Sequence, residues 1–452
     1  MTIARKTLAA LLVCACIIVE VAIGQTPKVK IDFTVTKLKN GLRVITVEDH
    51  SAPVVSQVLF FDVGAAHERP GRTGFAHLFE HMMFRGTENI KSMSEYLSLI
   101  RNNGGAMDAF TGADQTVYFE VVPANQLELP LFLESDRMRG LLITQEVFDT
   151  ERKVVQEERR LRIDNQPYGK SGEVMGDLLY DNFAYKHKLM GSMEDLSAAS
   201  VGDIKQFFKT YYAPNNVVLI LVGDFKTSEA IAKVRKYFED IPRQPAPPTL
   251  DRSEPEQKAE RRRTVEDALA RLPMVSIAFK ALPGNTSDFY ALQILASVLT
   301  TGQSSRLYQK LVKQQELASS LSGGISESRG VGALSVTTLL SPGKKTEDVE
   351  RIIYEEIEWL RREPISDAEL QKAKNIIALG LNTNLQTSLV RAITLGTYAV
   401  FYDDPNLINT RPDKIAAVTK QDVQRVANHY LRPTNRTVLI TMPKAATSKA
   451  AQ

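Results

Sequence analysis

Ser200 to Asn216 (Ser-Val-Gly-Asp-Ile-Lys-Gln-Phe-Phe-Lys-Thr-Tyr-Tyr-Ala-Pro-Asn-Asn) recurs without gaps 219 positions later as Thr419 to Asn435. Asp203/Asp422, Tyr211/Tyr430, Pro214/Pro433 and Asn216/Asn435 are identical pairs, and both copies run into β-branched stretches, Val217 to Val222 and Thr437 to Thr441. The grammar is the same twice. An Asp near a helix start favours the positive end of the dipole, Pro stops the amphipathic helix after Tyr, and a strand follows. A repeat of this length marks a duplicated unit.

Each half opens on strands and continues into helices. Leu42 to Val47 and Pro53 to Val63 are β-rich, as is Met274 to Phe279 before the helical stretch Asp288 to Leu299. Hairpin-joined strands followed by helices predict an α+β fold made twice, each domain a mostly antiparallel sheet with helices on one face. Between the copies, residues 242–263 carry Pro242, Pro245, Pro247, Pro248 and Pro255 and end in Glu260-Arg261-Arg262-Arg263, which reads as a solvated surface linker. The expected domains are therefore 25–241 and 264–452.

The body between the termini has no cysteine. Cys14 and Cys16 both lie within the first twenty-five residues, where Arg5 and Lys6 precede an apolar run from Leu8 to Val19 and Ala22-Ile23-Gly24 offers small-x-small. This is the pattern of an export signal, residues 1–24, cut after Gly24, with an uncleaved anchor as the alternative. The expected location is periplasmic or secreted, and the rest of the chain has no run long enough to span a bilayer. Lys and Arg number 56 against 53 Asp and Glu, which gives no global reason to expect a nucleic-acid or anionic-membrane partner.

Histidine is scarce, six in the chain, yet two stand four apart in His77-Leu78-Phe79-Glu80-His81. On a helix these spacings put His77, Glu80 and His81 on one side. Phe75, Leu78, Phe79 and Met82 around them imply burial, and two buried imidazoles need partners. Zn²⁺ held by two His and a carboxylate keeps a fourth position for water, lowering its pKa to about 7, and Glu80 is suited to take the proton. His50, His67, His187 and His429 lack ligand spacing and receive no role. The acidic ligand is sought in Glu151 to Arg160, a helical stretch in which Glu151, Val154, Val155 and Glu158 share a face with two valines to bury. Alone, this segment reads as a solvated helix with pairs such as Glu158 and Arg162, and only the need for an acidic ligand singles it out.

His77-x-x-Glu80-His81 followed by Glu-Arg-x-Val-Val-x-Glu-Glu resembles the pitrilysin/insulinase family of inverted-motif zinc peptidases, nearest its half-length, processing-peptidase-like bacterial branch. The resemblance runs from about Leu38 to Leu439. It implies that His77, His81 and Glu158 bind zinc, with Glu157 the competing ligand. It also implies that Glu80 is the general base and that Glu151 is a supporting carboxylate behind the ligands. Gly104 to Thr111 is similar to the family's edge strand, which implies that Gly105, Ala106, Met107, Asp108, Ala109 and Phe110 bind peptide main chain to main chain. Asp108 stands where the family usually has Asn.

Gln303 to Ser320 matches the family segment whose Arg and Tyr grip the substrate carbonyl, but the corresponding positions hold Val312 and Ser319. Neither supplies a cation or a phenol to an oxyanion. The reading that follows is a zinc endopeptidase subunit acting on peptides or unfolded segments, paired as a heterodimer with a homologous chain that lacks zinc and bears the Arg and Tyr. The alternatives are a structural or assembly subunit with a vestigial site and a peptide-binding module without turnover.

Overall fold

Six strands of the first half form one sheet: β1 (Thr34–Lys37), β2 (Arg43–Glu48), β3 (Val54–Phe61), β4 (Ala106–Thr111), β5 (Thr116–Pro123) and β6 (Val217–Gly223). Five of the second half form another: β7 (Arg261–Asp267), β8 (Met274–Lys280), β9 (Ala318–Ile325), β10 (Ala333–Leu340) and β11 (Arg436–Pro443). This is a computed structural model that describes residues 30–187 and 189–444. The expected export signal and both cysteines lie outside the described residues. Among those residues, no helix is long and apolar enough to cross a membrane.

The sheet orders are β1-β2-β6-β3-β5-β4 and β7-β11-β8-β10-β9, which coincide strand for strand once β1 is set aside. In each sheet one pair is parallel, β2 with β6 and β7 with β11, and the remaining pairs are antiparallel. The expected class, two homologous and mostly antiparallel α+β units, is the fold observed.

The helices that build the site and join the halves are α1 (Phe75–Met82), α2 (Gln145–Arg159), α3 (Ser171–Leu179), α4 (Val201–Tyr211), α5 (Ser287–Thr300), α6 (Ser388–Tyr402) and α7 (Lys420–Tyr430). α4 and α7 are the repeated helices, and the identities between them have local causes. Ser200 and Asp203 close a capping box, as do Thr419 and Asp422, so the shared Asp is the third residue of each first turn. Asn216 Nδ2 donates to Tyr211 O at 2.9 Å and to Asp62 O at 3.2 Å. Asn435 Nδ2 makes the same two bonds, to Tyr430 O and Lys280 O, both at 2.8 Å. Each Asn thereby fastens the helix end to the neighbouring strand.

Inward residues of the first sheet, including Val55, Leu59, Phe61, Leu219 and Leu221, share a core with Phe75, Leu78, Phe79, Phe148 and Val155 of α1 and α2. The opposite face is covered by α6 from the second half: Gly396 lies against Phe60 and Ile220, and Phe401 meets the Phe60 ring edge-on at 6.2 Å. In return α3 packs its Leu179 against Ala278 and Ala333 of the second sheet, and Ser171 Oγ lies 2.9 Å from Thr441 Oγ1. The halves thus exchange a helix, and from Asp32 onward they form one compact unit.

The segment expected to be a solvated linker differs at its end. Residues 242–260 form no regular element, but Arg261, Arg262 and Arg263 open β7 and pair with Thr437, Val438 and Leu439 of β11. Strand alternation sends Arg261 to Asp181 (2.6 Å) and Arg263 to Asp177 (3.1 Å), while Arg262 forks onto Glu350 at 3.0 and 2.6 Å. Upstream, Gln257 is buried and donates to Arg436 O at 2.8 Å, so the segment is pinned rather than loose.

Candidate metal centre

α1 is eight residues long and faces two ways. Phe75, Leu78, Phe79 and Met82 enter the core, while His77 and His81 turn toward α2, their ring centroids 4.8 Å apart. α2 is held on the same core by Phe148 and Val155, and it presents Glu151 and Glu158 two turns apart. The expected face is corrected in one respect: Val155 is fully buried, but Val154 is exposed.

His81 Nε2 stands 3.1 Å from Glu158 Oε2, and His77 Nε2 stands 3.7 Å from the same oxygen. One ligand atom from each of the three lies within 4.8 Å of the others, and among the described residues this is the only such grouping of His, Cys, Asp or Glu. Metal–ligand bonds of about 2.1 Å in a tetrahedron put ligand atoms roughly 3.4 Å apart, so the spacing fits a zinc-sized ion. Glu158 Oε2 and His77 Nδ1 are buried without a hydrogen-bond partner, which a protein rarely leaves so. Glu157 points away, pairing with Arg160 at 2.9 Å. Arg162 does reach Glu158, at 3.0 Å on the other carboxylate oxygen, so the i,i+4 pair and the cluster coexist.

Behind the trio, His81 Nδ1 lies 3.6 Å from Glu151 Oε2, and the fully buried Glu151 carboxylate also pairs with Arg85. A carboxylate on the second ring nitrogen fixes the tautomer and leaves Nε2 to face Glu158. Burial, with a smaller push from His81, lowers the His77 pKa to about 4, which favours the neutral imidazole a metal needs. Burial opposes charge on His81 as well, but the Glu151 hydrogen bond and the Glu158 and Glu80 carboxylates override it and raise its pKa. Burial raises the Glu80 carboxyl, against the Thr111 hydrogen bond.

β4 is the edge of its sheet, pairing only with β5 among the described residues, so its outer edge can receive an added strand, although Ala109 N donates to Asp108 Oδ1 at 2.8 Å. Ala106 and Asp108 are exposed, while Met107 and Ala109 pack on the core. The strand ends at Thr111, whose hydroxyl donates to Glu80 Oε2 at 2.5 Å. In the second half Val312 packs on the core, and Ser319 donates to Leu339 O at 3.2 Å. Neither position carries a cation or a phenol.

Residues 43–189 match the family profile described as insulinase, peptidase family M16, and residues 198–377 match the peptidase M16 inactive domain. The zinc protease PqqE of Helicobacter pylori is 30% identical over 409 residues, 90% of this chain and 92% of that protein. The chain belongs to peptidase family M16. Another M16 relative, a Bacillus subtilis protein named zinc protease YmxG, is 25% identical across 77% of this chain and 84% of its own. The crystal structure of a protease from H. pylori superposes with a TM-score of 0.88 at 29% identity, covering 92% of this chain and all of that one. The periplasmic protease PqqL of Escherichia coli has the same fold (TM-score 0.77, 17% identity), with 94% of this chain covering 49% of it. The M16 profile boundaries follow the chemistry: His77, Glu80, His81, Glu151 and Glu158 all fall in the first match and none in the second.

The structure brings together every residue of the expected cluster and sets Gly105 to Phe110 at a sheet edge beside it. Sequence reasoning missed Arg85, Thr111, Glu68 and His187. Arg85 follows the helix end at Met82, and Glu68 precedes the helix by six residues, so both lie in irregular chain that no periodicity marks. Thr111 and His187 act across long sequence separations, which no local pattern reveals.

Proposed function

We propose that this M16 member is a zinc-dependent endopeptidase subunit for peptides or unfolded segments. The observation that carries the reading is the convergence of His77, His81 and Glu158 with Glu80, itself bonded to the end of the edge strand. His77, His81 and Glu158 would hold a zinc ion, which when bound would supply a Lewis acid for water and the scissile carbonyl. Glu80 takes the water's proton and returns it to the departing amine. The Glu151 carboxylate faces His81 Nδ1 from 3.6 Å and keeps that ring oriented. The main chain of Ala106 to Phe110, with Gly105 leading in, pairs with an extended peptide, which selects backbone rather than sequence. Because Val312 and Ser319 offer no oxyanion donors, a homologous chain without zinc supplies them in a heterodimer. An export signal at residues 1–24 places the enzyme in the periplasm or outside the cell.

The test is zinc analysis of the purified chain, with Glu80→Gln and His81→Ala assayed on an unfolded peptide, alone and with a homologous partner chain. The reading expects one zinc, loss of hydrolysis without loss of metal in E80Q, and loss of metal in H81A. Full activity of the chain alone removes the partner requirement. The empty positions at Val312 and Ser319 also favour a second reading, a structural or assembly subunit. A stoichiometric zinc without hydrolysis, even with the partner present, would favour it over catalysis.

A further inference from the structure

The helix that carries His77, Glu80 and His81 has no cap of its own. Its N-cap is Gly74, at φ +84°, which has no side chain to receive the free N–H groups of the first turn. A carboxylate six residues upstream does so instead. Glu68 Oε2 accepts from Gly74 N and Glu68 Oε1 from Ala76 N, both at 2.8 Å. The Glu68 side chain is wholly excluded from solvent, and His187 Nε2 lies 3.0 Å from its Oε2 while His187 Nδ1 lies 2.6 Å from Phe183 O. The imidazole therefore bridges a fixed carbonyl and the carboxylate.

We propose that Glu68, braced by His187, is the positioning residue of the metal-binding helix, setting where His77 and His81 stand relative to Glu158. The bidentate grip ends on Ala76, the residue next to His77. In a helix of only eight residues both ligands stand within two turns of its start, so a shift there competes directly with the core anchors Leu78, Phe79 and Met82. The positive end of the helix and the two backbone N–H groups favour charge on Glu68, against burial, which raises its pKa. The loop before the helix has a separate anchor, because Asp195 Oδ2 accepts from Thr73 N at 3.0 Å and from the Thr73 hydroxyl. Loss of the Glu68 grip thus leaves the entry loop attached and releases the first turn. Ordinary core satisfaction of a polar group would tie Glu68 to stability alone; the positioning role ties it to the metal.

The inference rests on the metal-binding part of the proposed function and is tested apart from hydrolysis. The full chain carrying Glu68→Ala, Glu68→Gln or His187→Ala is titrated with zinc against a chromophoric chelator, and thermal unfolding of each metal-free form is recorded. Outer contacts of this kind change metal affinity by about ten- to a hundredfold, and that loss is expected for E68A. E68Q, which keeps one acceptor oxygen, recovers part of it, and H187A falls between. With zinc saturating and the partner present, kcat falls in E68A while KM is unchanged. A folded E68A with zinc affinity within about twofold of the unmodified chain overturns the proposal, whatever its melting temperature, since the outer-contact effect is larger. If E68A does not fold, H187A decides by the same criterion. An unmodified chain that binds zinc and cleaves nothing fails the peptidase reading and leaves this one standing, whereas one that binds no zinc overturns both.

Discussion

Thr111 donates a hydrogen bond from Oγ1 to Glu80 Oε2 at 2.5 Å, so the last residue of the edge strand holds the carboxylate of the H-x-x-E-H helix. A peptide paired to β4 would be placed against its own general base by one side chain. Thr111→Val keeps the shape and the strand propensity and removes the hydroxyl. A hydrogen bond to a charged group contributes about 1.5–3 kcal/mol, and part of that is regained by water in a half-buried site. Steady-state kinetics on an unfolded peptide should show kcat reduced about tenfold with little change in KM, and Thr111→Ser should restore it. An unaltered kcat in T111V would mean that Glu80 is oriented by something else.

Glu158 and Glu157 are adjacent acids with opposite environments. Glu158 faces both histidines, whereas Glu157 is 57% exposed and pairs with Arg160. Metal analysis after dialysis should find zinc lost in Glu158→Gln and retained in Glu157→Gln. Stability should separate them as well, since breaking an exposed pair changes it by no more than about 1 kcal/mol.

The halves, several of their strands and the pairing of His77 with His81 on one helix were legible in the sequence because each rests on local grammar. Helix period placed His77, Glu80 and His81 together, and the repeated Asp and Asn mark the capping box and the bond from Asn back to the helix end, both made inside one helix-turn-strand unit. What stayed hidden depends on partners far away in the chain. Arg261 to Arg263 read as a charged linker because the partners that make a strand of them, β11 and the acids Asp177, Asp181 and Glu350, lie elsewhere. Val154 read as buried because helical phase alone cannot tell which edge of a stripe meets a neighbour. The exchange of α3 and α6 between the halves was invisible for the same reason.

Asp49 joins the halves through Arg391 of α6, and its environment makes that joint sensitive to acid. Hydrogen bonds from Ser51 come first, then the Arg391 guanidinium, and against the cost of burial they bring the Asp49 carboxyl from 3.8 down to about 2. A lowered folded-state pKa adds stability above the unfolded value that is lost as pH falls through the folded one. Discounted for solvent screening of the pair, the gain at neutral pH is about 1 kcal/mol, with roughly half remaining near pH 3. Urea unfolding of Asp49→Asn beside the unmodified chain should show a gap at pH 7 that narrows steadily below pH 4. Arg391→Ala should open only part of that gap, because the Ser51 bonds remain. A gap independent of pH would refute the assignment.

At Gly396 the backbone of α6 approaches the first sheet closely. A Cβ there would lie 2.7 Å from Phe60 Cδ2 and 3.0 Å from Ile220 Cδ1, both buried. Two effects compete on substitution. Alanine gains about 1 kcal/mol of helix propensity over glycine, while overpacking a tight core costs about 1–3 kcal/mol. Valine brings less propensity and more volume, so Gly396→Val should destabilise by about 1–3 kcal/mol, and Gly396→Ala should lie nearer to neutral. If the cost is the collision with Phe60, shortening that ring in Phe60→Leu should make the Gly396→Val change cheaper than it is in the unmodified chain. A double-mutant cycle read by urea unfolding gives the coupling directly. Additive effects would place the close approach elsewhere, whereas coupling of 1 kcal/mol or so would locate the junction of the two halves at the Gly396 and Phe60 contact.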